Sequence, residues 1–251
     1  MTKVAGLGDN FYLSGLDLSG DVSAVTKIGG GPAALDVTGI KSSANERLGG
    51  HRDGGFDFAS WFNPYGAGVP AGLYLLPAAD VVGCYFQGTA VGNEAAGAVS
   101  KQLNYDGTRG TDGSFSFVCS LQANGFGLEW GTQHTAGIQL DAAPASSAGM
   151  DSGAAGASFG AQLYVQVFSV SGTSVTVKMQ DFTADTPGSY ADVTGLATGA
   201  VTPAMCPYGV RVATANNALI RRWTRVVTTG TFTNARFAVI LVRNLAAGVV
   251  F

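Results

Sequence analysis

Two histidines, two Asp-Gly turns and one run of arginines are the residues here whose types suit chemistry. His51 stands in GGHRDGG, two residues before Asp53, where an imidazole beside a carboxylate has the makings of a general base. Asp53 and Asp112 have the makings of a glycosidase carboxylate pair. The plainer reading of each is stronger. Asp before Gly bonds its own turn backbone and Gly accepts the positive φ, so neither needs a catalytic reason. His51 then belongs to a surface turn or an interface, and His134, in no motif, has no partner in sequence. Gly29–Gly31 are followed by Pro32, not by the Gly-Lys-Ser/Thr of a phosphate loop. Ser171 stands in VSGTS, not in a nucleophile elbow. DGTRGTDGS at 106–114 has something of a calcium loop's spacing but lacks its terminal Glu and enough acids. Cys84, Cys119 and Cys206 are scattered, with no Cys/His cluster for zinc, and read as small buried hydrophobes in a reducing compartment. No catalytic, cofactor-binding or metal residue is assigned, no cofactor is expected, and the chain is not expected to be an enzyme.

The arginine run RRWTR carries Arg221, Arg222 and Arg225 around Trp223. Such a stripe suits stacking of single-stranded nucleic acid, but a strand turns Arg222 away from Arg221 and Trp223. A subunit contact is the favoured reading, with Glu94, Glu129 or Asp192 of a neighbour as partners. Trp61, Tyr65, Trp130 and Trp223 offer sugar-stacking platforms, although core or interface packing is preferred for them.

Strands must position these residues. FYLSG, FDFASWF, SFSFVCSLQ, LYVQVFSV, SVTVKMQDF and FAVILV alternate or run β-branched. Phe56 with Phe58, and Phe115, Phe117 with Cys119, each share a face that reads as core. Pro77 suits the opening of a short helix over 78–83. Around Ser171-Gly172 two strands are expected, and two more at 219–228 and 235–243. The composition agrees: Gly is 37 of 251 residues without a collagen period, and charged residues are 12%, against about 25% in ordinary domains. So neutral a surface suits a protein packed against its own copies. Net charge is −3, with no basic patch for DNA affinity, though a neutral wall lets nucleic acid slide past. No run of 18 apolar residues predicts a membrane span, and MTKVAGLGDNF has no apolar core of a signal peptide, so synthesis in a cytoplasm is expected.

The chain also repeats itself. Tyr12 in NFYLSGLDLSG aligns with Tyr85 in GCYFQGTAVGN at an offset of 73, and Asp53 with Asp112 at an offset of 59. The difference, 73 − 59 = 14 residues, places extra sequence in the first copy, with KIGGGPAALDVTGI at 27–40 as a long loop or arm. A duplication explains this; hairpins that converged on the same turn chemistry explain it too. The expected organisation is a duplicated β domain at 1–140 with repeats at about 10–66 and 83–131, a Gly/Ala/Ser-rich linker at 141–157, and a β-sandwich at 158–251.

FYLSGLDLSGDVS, GGHRDGGFDFASWFNP, YFQGTAVGNEAAGAVSKQLNYDGTRGTDGSFSFVCSLQANG and RRWTRVVTTGTFTNARFAVILVRN resemble tail tube (major tail) proteins of long-tailed phages, particularly of actinobacterial hosts. The resemblance covers most of the chain as overall texture. It implies an all-β fold, a duplicated tail-tube-like β-sandwich or barrel unit plus a C-terminal β-sandwich or jelly-roll-like domain. It implies a virion structural protein located in the tail, with no catalytic role. Members close rings by completing β-sheets between neighbours, some as trimers with pseudo-six-fold symmetry, and the rings stack helically into a conduit for genome ejection. Partners would be other copies, other tail proteins, and genomic DNA passing without specific binding. Asp53, Phe56, Arg109, Asp112, Phe115, Arg221, Arg222 and Arg225 are the subunit-interface candidates. Two features depart from that plan: the 14-residue difference between copies and the lack of an acidic lumen stripe. The alternatives are a capsid decoration protein, a head or tail fibre protein, and a carbohydrate-binding virion protein that recognises a host receptor.

Overall fold

Alternation of buried and exposed residues sets the strands of this all-β chain. The computed structural model describes residues 6, 8–63, 73, 74, 76, 78–153, 156–186 and 188–246. The only named helical element among them is a 3-10 turn at Pro203–Met205, and no helix is long and apolar enough to cross a membrane.

The first half curls one antiparallel sheet around an aromatic core. Its strands are β1 (Asn10–Leu13), β2 (Leu16–Asp17), β3 (Val22–Gly29), β6 (Gly55–Trp61), β7 (Val81–Phe86), β8 (Glu94–Gln102), β9 (Asp106–Arg109) and β10 (Phe115–Ala123). They follow the order β2-β1-β7-β8-β10-β6-β3, with β9 on the same edge of β10 as β8. Phe11, Phe56, Phe58, Cys119 and Leu121 fill the interior. Phe11 meets Phe56 edge-on at 5.4 Å, a favoured aromatic geometry. β7 is buried at nearly every position, as a β-branched strand covered on both faces should be. It therefore replaces the helix expected over 78–83; Pro77 lies outside the described residues.

The two similar segments lie side by side. β1 pairs antiparallel with β7, Phe11 opposite Tyr85. β6 pairs antiparallel with β10, Phe58 opposite Cys119. Outward from that central pair stand β3 on one side and β8 on the other. The likeness is one of strand order and not of register: Ile28 faces Phe56, whereas Gln102 faces Leu121. The connections differ as well. The second segment has the short strand β9, while the first has a hairpin of β4 (Ala34–Asp36) and β5 (Arg47–Gly49), paired only with each other as a separate two-stranded sheet. The expected arm over 27–40 thus begins after β3 and extends further, from Gly30 to beyond Gly49.

The second half is organised by two long strands, β14 (Ala161–Phe182) and β17 (Trp223–Arg243). They pair from Ala161–Arg243 to Phe182–Trp223, so each of the four strands expected here is half of a bent one. The bend needs glycine. Gly172 (φ 131°) and Gly230 (φ 120°) adopt backbone that side chains disfavour, beside shifts in register that kink the ladder. The ladder folds over itself, so Leu163, Val165 and Val167 from one stretch share a core with Val175, Val177 and Met179 from the other. β16 (Tyr208–Ala213) extends one layer and β15 (Ala191–Ala197) the other.

The halves form one continuous sheet. β11 (Glu129–Gln133) pairs with β8 on one side and with β17 on the other. The segment expected as a linker, 141–157, lies against the second half. It continues β12 (Gln139–Asp141) and contains β13 (Met150–Asp151), both paired with β17, and Ser146 and Ala157 bridge to Val227 and Ile220. Small residues let that backbone lie close to β17. Tyr12, Cys84, Phe86, Tyr164, Ala238 and Ile240 pack across the junction.

Candidate functional site

The groups that suggested catalysis are not brought together. Asp53 accepts the Gly54 N–H at 2.7 Å and a hydrogen bond from Gln122 near the end of β10; these bonds, the Gly54 one foremost, hold its carboxyl below the usual range. Asp112 precedes the start of β10 and accepts the Ser114 hydroxyl (2.7 Å) and N–H (3.0 Å), which lower its pKa in the same way. A strand rises about 3.3 Å per residue, so β10 keeps the two carboxylates roughly 20 Å apart, well beyond glycosidase spacing. His51 is exposed, whereas His134 is buried and its pKa is pushed down to about 3, mainly by burial and then by Arg243. Among the described residues no three His, Cys, Asp or Glu side chains are grouped to hold a metal.

The arginine stripe is occupied within the chain. Arg221 donates through its backbone (2.7 Å) and guanidinium (2.9 Å) to Asp181. Arg222 grips Asp151 with two bonds of 2.6 Å, which hold Asp151 down at about 2. Arg225 donates to the Gln180 side chain at 2.7 and 3.0 Å, with its guanidinium 4.3 Å from the centre of the Tyr190 ring. Of the acids expected from a neighbour, Asp192 binds Lys178 at 2.6 Å and Glu129 binds Arg211, both in the same chain. Phe56 is fully buried and offers a neighbour no surface. Arg109 and Phe115 are opposite each other at the exposed end of β10.

Sequence reasoning missed the polar seam between the halves. Glu129 on β11 is buried and receives a two-pronged grip from Arg211 on β16, at 2.9 and 3.0 Å. The Tyr164 hydroxyl donates to the same carboxylate at 2.5 Å, and Phe126 covers the guanidinium at 3.9 Å. Burial opposes the charge on Arg211, but Glu129 outweighs it and keeps the guanidinium protonated. Burial first, then Glu129, raises the Tyr164 pKa far above its usual range. Nearby, Gln166 on β14 accepts the Gly15 N–H (2.5 Å) and donates to the Val82 carbonyl (2.8 Å). These bonds key the halves to one another. A lone arginine in the strand YGVRVA was the available signal: a cation in such a strand implies a buried acid.

The outward-facing features are of another kind. On the arm Leu35, Val37, Ile40 and Leu48 are all exposed, Ile40 completely. β3 pairs only with β6 among the described strands, leaving its other edge beside a groove of about 330 Å³ shared with Asn10, Phe11 and Tyr85. At the far end of β6 and β10 the exposed Phe62 and Phe115 rings, 5.1 Å apart, form an aromatic patch on one face, while Trp61 and Val118 are exposed on the other. These surfaces supply apolar area and free backbone edge, the means of protein association rather than of catalysis.

No family model and no curated protein matches the chain. Among solved structures it is similar to the SPP1 Dit (gp 19.1) protein, described as a paradigm of hub adsorption apparatus in phages infecting Gram-positive hosts, at 11% identity and a TM-score of 0.33, covering 96% of this chain and all of that one. It is also similar to a chain of the phage p2 baseplate in its activated conformation with strontium, at 12% identity and a TM-score of 0.32, covering 94% and 98%. The calcium form of that baseplate gives the same identity, coverage and TM-score. Likeness this distant assigns no role to the present chain.

Proposed function

We propose that this chain is a structural protein of a phage tail, one that associates with its own copies into rings that stack as a tail tube. The observation that carries the reading is the arm. A two-stranded hairpin is marginal by itself, yet this one exposes Leu35, Val37, Ile40 and Leu48. Burying a fully exposed aliphatic side chain is worth about 1.5–3 kcal/mol; with Ile40 fully exposed and the other three about half exposed, docking gives roughly 4–8 kcal/mol. That is comparable with the cost of association, about 4–15 kcal/mol. The one-sided β3 adds a ladder edge for a neighbour's strand, and the 12% charge content keeps desolvation cheap.

In this reading the resemblance to tail tube proteins and the side-by-side repeat belong together. Two similar units per chain halve the number of subunits that close a ring, so trimers give pseudo-six-fold symmetry. The arm reaches the next ring, other tail proteins cap the stack, and DNA passes a lumen that does not bind it. The chain needs no cofactor and carries out no reaction. Electron microscopy of the purified protein at high concentration tests this. Closed rings or hollow filaments are expected. Discrete trimers that never stack, even with the other tail proteins present, would favour capsid decoration instead.

A further inference from the structure

Three tryptophans were candidates for stacking platforms, and their surroundings differ. Trp61 is exposed at the open end of β6, and Trp223 is half-buried at the start of the β17 ladder. Trp130 is 48% exposed and lines a cleft of about 480 Å³, within the range of small-molecule sites. We propose that this cleft, where β11 meets β13 and β17, binds a neutral saccharide, a role separate from assembly.

The geometry follows from β11. Alternation turns Glu129 inward to Arg211 and Trp130 outward into the cleft. The next residue must be glycine, because a Cβ at Gly131 would collide with the Leu241 carbonyl. Gly131 lines the cleft beside the indole with backbone alone. Polar groups face it. The Asp151 carboxylate is fixed by Arg222 and by the Gly153 N–H at 2.8 Å. The Ser152 hydroxyl donates to the Arg222 carbonyl at 2.6 Å and accepts from Arg243. Glu94 and Thr132 complete that wall.

A pyranose has a face of C–H bonds and a rim of hydroxyls that both donate and accept. The C–H face suits an indole and the rim suits mixed carboxylate, hydroxyl and guanidinium groups. Of the charged residues that line the cleft, Glu94 and Asp151 are acidic and Arg243 is basic, and Arg222 pairs with Asp151 from outside the lining, so the wall has no excess positive charge and favours a neutral sugar over an anionic one.

The test is isothermal titration of the full chain with chitobiose, lactose and maltose, with tryptophan fluorescence as a second readout. At least one of the three is expected to bind saturably and to change the fluorescence. Trp130→Ala should weaken it about tenfold or more, and Trp130→Phe should retain most of the affinity. A sialylated counterpart should bind more weakly. A chain shortened by its arm (34–49 replaced by a Gly-Gly turn) should bind equally well, which separates this site from assembly. Absence of saturable binding by all three sugars overturns the proposal, as does affinity unchanged in Trp130→Ala.

Discussion

The two halves of this molecule treat apolar residues in opposite ways. Among the described residues, thirteen of the seventeen large exposed hydrophobics occur between Leu35 and Trp130, and four beyond. The second half folds one long ladder onto itself and closes its core with Val, Leu and Met from both stretches. The first half has a core of similar kind, but it also holds out an apolar hairpin, an aromatic patch and a one-sided strand. A uniformly sticky chain would aggregate; concentrating the exposed apolar surface in one half gives association a direction. The second half acts in this account as the scaffold, and the first as the half that meets neighbours.

Unlocking the halves should have the largest effect. Arg211→Met leaves the Glu129 carboxylate buried without its main partner, and chemical denaturation should show a loss of about 3–5 kcal/mol. Combining it with Glu129→Leu should recover most of that loss, because no stranded charge is left. A next effect comes from acid. His134 is neutral when folded, with its pKa near 3 against 6.5 for the ordinary imidazole. Between those values the unfolded chain takes up a proton that the folded chain refuses, so stability falls as pH drops from 6.5 towards 3. The contribution is at most about 1.4 kcal/mol per pH unit. His134→Gln should flatten the slope between pH 6.5 and 4.5, above the range where the lowered carboxylates of Asp53, Asp112 and Asp151 titrate.

Smaller still is a change at the packing between halves. A Cβ at Gly97 would sit 2.6 Å from the Tyr164 ring, so Gly97→Ala should cost roughly 1–3 kcal/mol in the same denaturation assay. At the bottom of the scale, Ile40→Ser on the arm should shift monomer stability by no more than about 0.5 kcal/mol. Sedimentation should nevertheless show that it weakens association. That contrast between a negligible effect on folding and a large one on assembly sharpens the division of labour.

Much of the fold could be read from alternation: β6 and β10 with their buried Phe56, Phe58, Phe117 and Cys119 follow the pattern of their sequences. Ser171-Gly172 was less legible, since the same glycine that ends a strand at a turn also lets a strand bend and continue. Which occurs depends on whether a partner strand runs past it, and β17 does. The helix expected over 78–83 failed because Val81 and Val82 are covered on both faces, a tertiary fact. The partners of Arg221, Arg222 and Arg225 were hidden for a similar reason: Asp181, Asp151 and Gln180 reach them only through the register of β14 and β13 on β17. The arm was legible because Gly30, Gly31 and Pro32 interrupt a strand and no core pattern follows.

Hydrogen exchange of the assembled protein against the dispersed chain shows which half meets its neighbours. New protection confined to β3 and the arm over 34–49, with β14 and β17 unchanged, is the predicted result. Protection that instead appears along β15 or β16, with the arm exchanging as freely as before, would put the contacts between copies on the second half and not on the arm.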